Sequence, residues 1–417
     1  MSEKVSASDI INASNKLRKT DMVIKTPLIK CNRLSNKYNC NIYLKREDLQ
    51  SVRSFKVRGA LWKIMNLSKN AQQRGVVCAS AGNHAQGVAY SCSNLGIKCK
   101  IFVPIITPLQ KINRIKKFLS DDGKLIVVGK TFDNTLLNAQ NYCSKKNMTF
   151  IHPYDDYDVI TGQGTISVEI FEDIDPDIII CGIGGGGLIS GITAHSKHVK
   201  NNILIFGGEP IGSPSFMETF VFGEYRKIDV TDTFVDGASV GNPGKKCIEV
   251  SNDLIDKIVL VDNNLVSKEL LELYDNEGII AEPAGVLPIC VLDRLPNNIL
   301  YGKNVVCVLS GGNNDYTRYT EIINNYMIGY SMRFYLIIKF NQIPGQLKKF
   351  VEKVLTSDDD IIRFEYTKKS NIETGPALIG LDLGKSNNRE NLERLLIEND
   401  FEYKILEPSD PEYALLV

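Results

Sequence analysis

From residue 42 onward, short β-branched runs alternate with amphipathic stretches of about 10 to 15 residues, and that alternation admits few folds. Strands separated by helices pair in parallel, because a parallel neighbour can be reached only through a long crossover. The candidate strands cover 41–45, 75–79, 98–103, 125–128, 178–181, 204–207, 257–261 and 305–309. Several end in Gly, Ser or Asn followed by a helical pattern, the place where open parallel sheets bind ligands. With 417 residues the chain exceeds one ordinary core, so a large α/β body with an appendage is expected.

The texture changes near residue 330. Residues 333–340 (Arg-Phe-Tyr-Leu-Ile-Ile-Lys-Phe) read as a strand, 342–345 as a turn and 346–355 as a helix; 361–368, 377–383, 388–399 and 401–406 follow as strand, strand, helix and strand. A βαββαβ order of this size predicts a small α+β, ferredoxin-like module. The boundary is expected at 327–331, giving a first domain over 1–326 and a second over 332–407.

Composition excludes several partners. The 49 basic side chains are matched by 49 acidic ones, so no global field draws the chain to nucleic acid or to an anionic membrane. No stretch approaches the roughly 18 apolar residues of a spanning helix, and residues 1–20 carry mixed charge without an apolar segment, so no signal peptide is expected. The ten cysteines form no Cys-x-x-Cys pair and several sit in apolar runs such as Val305-Val306-Cys307-Val308. They read as buried thiols of a reducing, cytoplasmic protein. His195 and His198, the one close histidine pair, lack a neighbouring Cys or carboxylate cluster, so a solvated helix end is expected there and no metal.

Four small-residue loops follow candidate strands. Ser54-Phe55-Lys56-Val57-Arg58-Gly59, preceded by Lys45-Arg46-Glu47-Asp48, sets a lysine among apolar neighbours at a helix start. Desolvation there lowers an amine's pKa and frees it for imine formation and proton transfer. Ser80-Ala81-Gly82-Asn83-His84 opens a helix with exposed backbone N–H groups suited to a carboxylate, and the Asn83 amide can bond a phenolate oxygen. Gly182-Ile183-Gly184-Gly185-Gly186-Gly187-Leu188 lets backbone wrap a phosphate; it lacks the Gly-Lys-Ser/Thr ending of a nucleotide loop and the spacing of a dinucleotide fingerprint. Ser310-Gly311-Gly312-Asn313 puts a hydroxyl at a strand end, where it can meet a pyridine nitrogen. Taken singly, each has a plainer reading: a surface lysine, a helix cap, tight glycine packing, another cap.

Taken together, and with Glu282-Pro283-Ala284-Gly285, the loops resemble threonine dehydratase (threonine ammonia-lyase) of the tryptophan-synthase-β fold type. The likeness spans residues 5–325 with every landmark in order. The tail, most recognisably Asp358-Asp359-Asp360-Ile361-Ile362-Arg363-Phe364-Glu365-Tyr366, resembles the single ACT-like regulatory domain of the short biosynthetic form. The resemblance implies an α/β fold of two parallel-sheet subdomains with an appended α+β module. It also implies pyridoxal 5′-phosphate held by Lys56 as a Schiff base, with Phe55 packed beside it and Asn83 on its phenolic oxygen. The phosphate falls to the backbone of Gly184, Gly185, Gly186, Gly187 and Leu188, and the pyridine nitrogen to Ser310. Ser80, Ala81, Gly82, Asn83 and His84 are left to hold the substrate carboxylate. The implied reaction converts L-threonine to 2-oxobutanoate and ammonia, the first step of isoleucine biosynthesis, with L-serine as a second substrate. Isoleucine or valine is the implied allosteric effector, and a homotetramer the implied assembly.

Two departures separate the chain from related serine racemases. Their second, opposite-face serine falls on Ala81, and the acidic residue they place six positions after the Glu of Gly-x-Glu-Pro falls on Ser215, counting from Glu209. Two readings from other classes stay open at this stage, a cysteine-synthase-like β-replacement enzyme and a catalytically dead amino-acid sensor. The sensor has no use for an imine-forming Lys56.

Overall fold

The computed structural model, which describes residues 4–251, 253–367, 374–384, 387–407 and 410–413, packs into two compact units that meet in sequence at Asp315 and Tyr316. The first contains β1 (Leu28–Lys30), β2 (Asn41–Arg46), β3 (Val76–Ala79), β4 (Cys99–Val103), β5 (Lys124–Val127), β6 (Thr149–Phe150), β7 (Ile178–Gly182), β8 (Leu204–Pro210), β9 (Lys257–Val261) and β10 (Asn304–Leu309). They form a six-stranded sheet ordered β1-β2-β10-β7-β8-β9 and a four-stranded sheet ordered β5-β4-β3-β6. Every pairing is parallel except that of β1 with β2.

All eight strands expected in this region are present. β1 and β6 were not foreseen: at three and two residues they are too short to show a period. The central strands are apolar on both faces, with Ile178, Ile179, Ile180 and Cys181 of β7 fully buried. The helix Pro283–Leu292 matches them, since all ten of its residues are buried; a helix apolar all round has no face to give to water.

A four-charge cluster fixes the element that carries Lys56. Lys45 on β2 donates to Glu169 Oε2 at 2.6 Å, and Arg58 spans Glu47 at 2.8 Å and Glu169 at 2.7 Å. None of the four side chains exceeds 1% exposure. Lys45 also donates to the Thr26 carbonyl, and Thr26 Oγ1 to Glu47. Ions this deep are tolerated only when paired and hydrogen-bonded throughout. The cluster ties β2 to the helices Lys56–Met65 and Tyr157–Asp173, whose backbones meet so closely that a Cβ on Gly162 would fall under 3.0 Å from Gly59.

The second unit opens with a short 3₁₀ turn (Tyr316–Arg318) and the helix Tyr319–Gly329, and contains β11 (Arg333–Asn341), the helix Gln346–Lys353, β12 (Asp360–Tyr366), β13 (Thr374–Asp382), the helix Arg389–Glu398 and β14 (Glu402–Leu406). Its sheet is antiparallel in the order β12-β13-β11-β14. The expected βαββαβ order is present; Lys368, the last residue of one expected strand, lies outside the described residues. Phe340, Phe350 and Phe401 meet edge to face in its core, with ring centroids 5.8–6.0 Å apart. No helix among the described residues is long and apolar enough to cross a membrane.

Candidate active site

The four loops leave the carboxyl ends of β2, β3, β7 and β10, and the fold brings them together. Lys56 is the first residue of its helix. Its Nζ donates to the Pro153 carbonyl at 2.8 Å and lies 5.1 Å from the centre of the Phe55 ring. Burial pulls the amine down to about 8, against the attraction of Cys247 and Glu282. A useful fraction of Lys56 is therefore unprotonated near neutral pH, as an imine-forming amine requires.

The Asn83 loop meets Lys56 through backbone packing. A Cβ on Gly87, one turn into the helix Asn83–Leu95, would stand 3.2 Å from the Lys56 carbonyl. Asn83 Nδ2 donates to Glu282 Oε1 at 2.6 Å, and Asn83 Oδ1 accepts from Asn313 Nδ2 at 2.7 Å. The five residues assigned to a carboxylate are not equivalent. The N–H of Ser80 is used by Phe102 and that of Gly82 by Ser80 Oγ, whereas Asn83 and His84 open the helix, where N–H groups have no carbonyl a turn earlier. Space beside Gly82 is open, with nothing within 4 Å of an added Cβ. His84 is buried, donates through Nε2 to the Ile151 carbonyl at 2.9 Å and has its pKa driven down to about 3 by burial and by Lys56. Its Nδ1, like the buried Ser54 hydroxyl, has no hydrogen-bond partner among the described residues.

Gly186 takes φ +94° and caps the helix Gly187–Val199. A Cβ on it would collide with the Phe216 ring, and one on Gly185 with the Tyr154 ring, each at under 3.0 Å. Tyr154 is itself held by its hydroxyl on the Asn242 carbonyl at 2.9 Å. The loop is therefore a cradle whose floor is aromatic and whose free N–H groups open a helix, a shape and charge suited to a phosphate. Ser310 is buried, its hydroxyl 3.4 Å from the Ala284 carbonyl, and its own carbonyl accepts from Phe55 N–H at 3.1 Å.

An amine held near neutrality, a glycine cradle, a buried hydroxyl and an amide with a hydrogen to spare fit pyridoxal phosphate. Sequence reasoning missed Tyr154, Phe216, Cys247 and the Glu282–Asn83–Asn313 chain, because they become neighbours of the loops only through tertiary packing. One reading of the histidines is corrected: His195 is no solvated helix end but 3% exposed, bonded to Ser167 Oγ at 2.7 Å, with its pKa lowered to about 4 by burial. His198, three residues on and past the packed face, is exposed.

Comparison with known proteins agrees with this chemistry. The family model described as pyridoxal-phosphate dependent enzyme matches residues 19–311, and that for the C-terminal regulatory domain of threonine dehydratase matches 327–416. The chain belongs to the pyridoxal-phosphate-dependent enzymes. It is 45% identical over 416 residues to the biosynthetic L-threonine dehydratase of Halalkalibacterium halodurans, covering 99% of this chain and 100% of that one. Against the Bacillus subtilis enzyme of the same name it is 44% identical over 399 residues, covering 95% and 94%. Within that class, then, it is a member of the biosynthetic threonine dehydratase family. Solved structures similar to it include the processed threonine deaminase isoform 2 of Solanum lycopersicum (34% identity, TM-score 0.71, 76% of this chain and 93% of that one). The serine racemase of Dictyostelium discoideum is similar too (29% identity, TM-score 0.69, 75% and 99%).

Proposed function

We propose that the chain dehydrates and deaminates L-threonine to 2-oxobutanoate and ammonia, with some activity on L-serine, in a cytoplasmic homotetramer. The observation that carries this reading is the buried amine of Lys56, placed beside a glycine cradle and the open mouth of a helix N-terminus. Bound pyridoxal phosphate supplies the electron sink that makes the Cα proton of the amino acid removable. The chain does the rest. Phe55 would pack beside the cofactor, Asn83 would donate to its phenolic oxygen and Ser310 would meet its pyridine nitrogen. The backbone N–H groups of Gly184, Gly185, Gly186, Gly187 and Leu188 would hold its phosphate. Ser80, Ala81, Gly82, Asn83 and His84 orient the substrate carboxylate, chiefly through the N–H groups still free at the helix start. Lys56 would hold the cofactor through Nζ and, with substrate bound, is the group placed to take the Cα proton on that atom, a step its lowered pKa suits.

Residues 1–326 serve this chemistry, and 332–407 form an ACT-like regulatory domain that responds to isoleucine or valine. Its effector is expected at the first strand-to-helix turn, 341–346, where Gly345 has φ +89° and nothing lies within 4 Å of an added Cβ.

The test is 2-oxo acid formation by the purified holoenzyme with threonine, serine, and O-acetylserine plus sulfide. Threonine should be the best source of 2-oxo acid, and isoleucine should shift the threonine saturation curve. Cysteine formation from O-acetylserine without 2-oxo acid from threonine would replace this reading with β-replacement, and indifference to isoleucine and valine would remove the regulatory part.

A further inference from the structure

The amide of Asn83 is pinned from both ends, and the direction of the pinning can be traced to a group that has no choice. Asn313 Nδ2 donates to the Val52 backbone carbonyl at 2.8 Å as well as to Asn83 Oδ1 at 2.7 Å. A carbonyl oxygen can only accept, so Val52 fixes which end of Asn313 is nitrogen. Asn313 then presents donors to Asn83, which must answer with its oxygen and turn Nδ2 to Glu282 Oε1 at 2.6 Å. An amide nitrogen carries two hydrogens. One is spent on Glu282 and one remains.

Glu282 is built to stay where it is. Its backbone N–H donates to the Gly311 carbonyl at 3.1 Å, and it precedes the buried helix Pro283–Leu292 as its N-cap residue. The Asn313 backbone N–H also bonds its carboxylate, and a Cβ on Gly311 would overlap Oε1. Its charged neighbours are Asp236, Lys111 and Lys56.

We propose that Glu282 is a positioning residue which, with Asn313, locks the Asn83 amide in the one rotamer that leaves a single N–H free for the phenolic oxygen of the cofactor. The inference rests on the assignment of Asn83 to that oxygen. Without the carboxylate the amide is held at its oxygen alone and can swing about that bond, so its remaining hydrogen loses its aim.

The experiment compares cofactor affinity and the visible absorption band of the wild-type holoenzyme with those of Asn83→Ala, Glu282→Ala, Glu282→Gln and the Asn83→Ala/Glu282→Ala double variant. Asn83→Ala should weaken the cofactor about tenfold, the size of one hydrogen bond to a charged acceptor, and shift the band. Glu282→Ala should reproduce most of that loss and shift the band in the same direction, and the double variant should be no weaker than Asn83→Ala alone, because the two act as one unit. Glu282→Gln, which keeps an acceptor oxygen, should recover most of the affinity. A pH titration of the wild-type band should show a step near about 7, where burial and Asp236 set Glu282, and Glu282→Gln should lack it. If Asn83→Ala changes neither affinity nor band, the assignment of Asn83 falls and this inference with it. If Asn83→Ala acts as expected but Glu282→Ala leaves affinity and band as in wild type, or adds its full effect in the double variant, the positioning role alone is overturned.

Discussion

Phe55 N–H donates to the Ser310 carbonyl at 3.1 Å, joining the residue just before Lys56 to the far edge of the same candidate site. Ser54 and Gly311 add an isolated antiparallel bridge beside it. Lys56 is therefore carried on backbone that cannot move without disturbing the hydroxyl at Ser310, a rigidity that holds catalytic groups at working distance.

Replacing Lys56 should separate charge from chemistry. Lys56→Arg keeps a cation at the helix start but one that cannot lose its proton at accessible pH. Lys56→Arg and Lys56→Ala should both lose the visible absorbance of the attached cofactor, and threonine turnover should fall by about 10²- to 10⁴-fold, the share of a positioned proton-transfer group, or more. Retained absorbance in either variant would show that another residue holds the cofactor.

Gly186→Ala meets two obstacles at once, a backbone at φ +94° and the Phe216 ring inside van der Waals distance. The strained backbone alone costs about 1–3 kcal/mol, and the displaced loop should weaken cofactor binding as well. Gly223→Ala is the control, since φ there is +69° with nothing within 4 Å. Thermal melts with and without added cofactor should show the Gly186 variant losing both stability and response, and the Gly223 variant losing a smaller amount of stability only.

Glu169→Ala removes the anion shared by Lys45 and Arg58, leaving Glu47 to answer two buried cations. Breaking such a buried pair costs about 3–5 kcal/mol, which denaturant unfolding of the full chain would measure. A loss below about 1 kcal/mol, the value of an exposed pair, would mean that water reaches the cluster.

Glu209 gives stability a slope with pH. Both of its oxygens accept backbone N–H groups, from Phe216 and Met217 at 2.8 Å, yet burial lifts its pKa from 4.5 to about 8. The folded state then holds a proton that the unfolded chain releases, so this residue's contribution falls as pH rises from 4.5 to about 8 and is fully lost above that. Glu209→Gln should remove one component of that slope, at most about 1.4 kcal/mol per pH unit, seen as a flatter dependence of Tm on pH between those limits. Glu282 pushes in the same direction up to about 7, so the difference between variant and wild type is the quantity to read.

The parallel sheets were legible because their strands are long, β-branched and separated by helices, and the loops because four of them carry unusual residues at strand ends. The buried cluster was not. Lys45, Glu47 and Arg58 stand in the very stretch that marks the family, but a charged residue in a linear pattern reads as solvated, and nothing local announces that Glu169, more than a hundred positions away, neutralises them. The same holds for Glu282: its motif is visible, while its hold on Asn83 depends on the way Asn313 and Val52 are brought together.

Every one of the ten cysteines is a free thiol and buried, and the last of them is Cys307. Cys78, Cys92, Cys181, Cys247, Cys290 and Cys307 are fully buried, so a thiol reagent added to the intact enzyme reaches them only when part of the first unit opens, and each is a clock for the opening of its own surroundings. Cys247 times the floor of the glycine cradle, where its Sγ bonds the Tyr154 carbonyl at 3.3 Å; Cys78, one residue from the end of β3, times the strand that feeds the Asn83 loop. From Tyr316 onward the chain has no thiol at all. Labelling therefore reads the first unit alone, and a change provoked by isoleucine in the full chain but not in a chain ending before residue 327 would trace to the second unit.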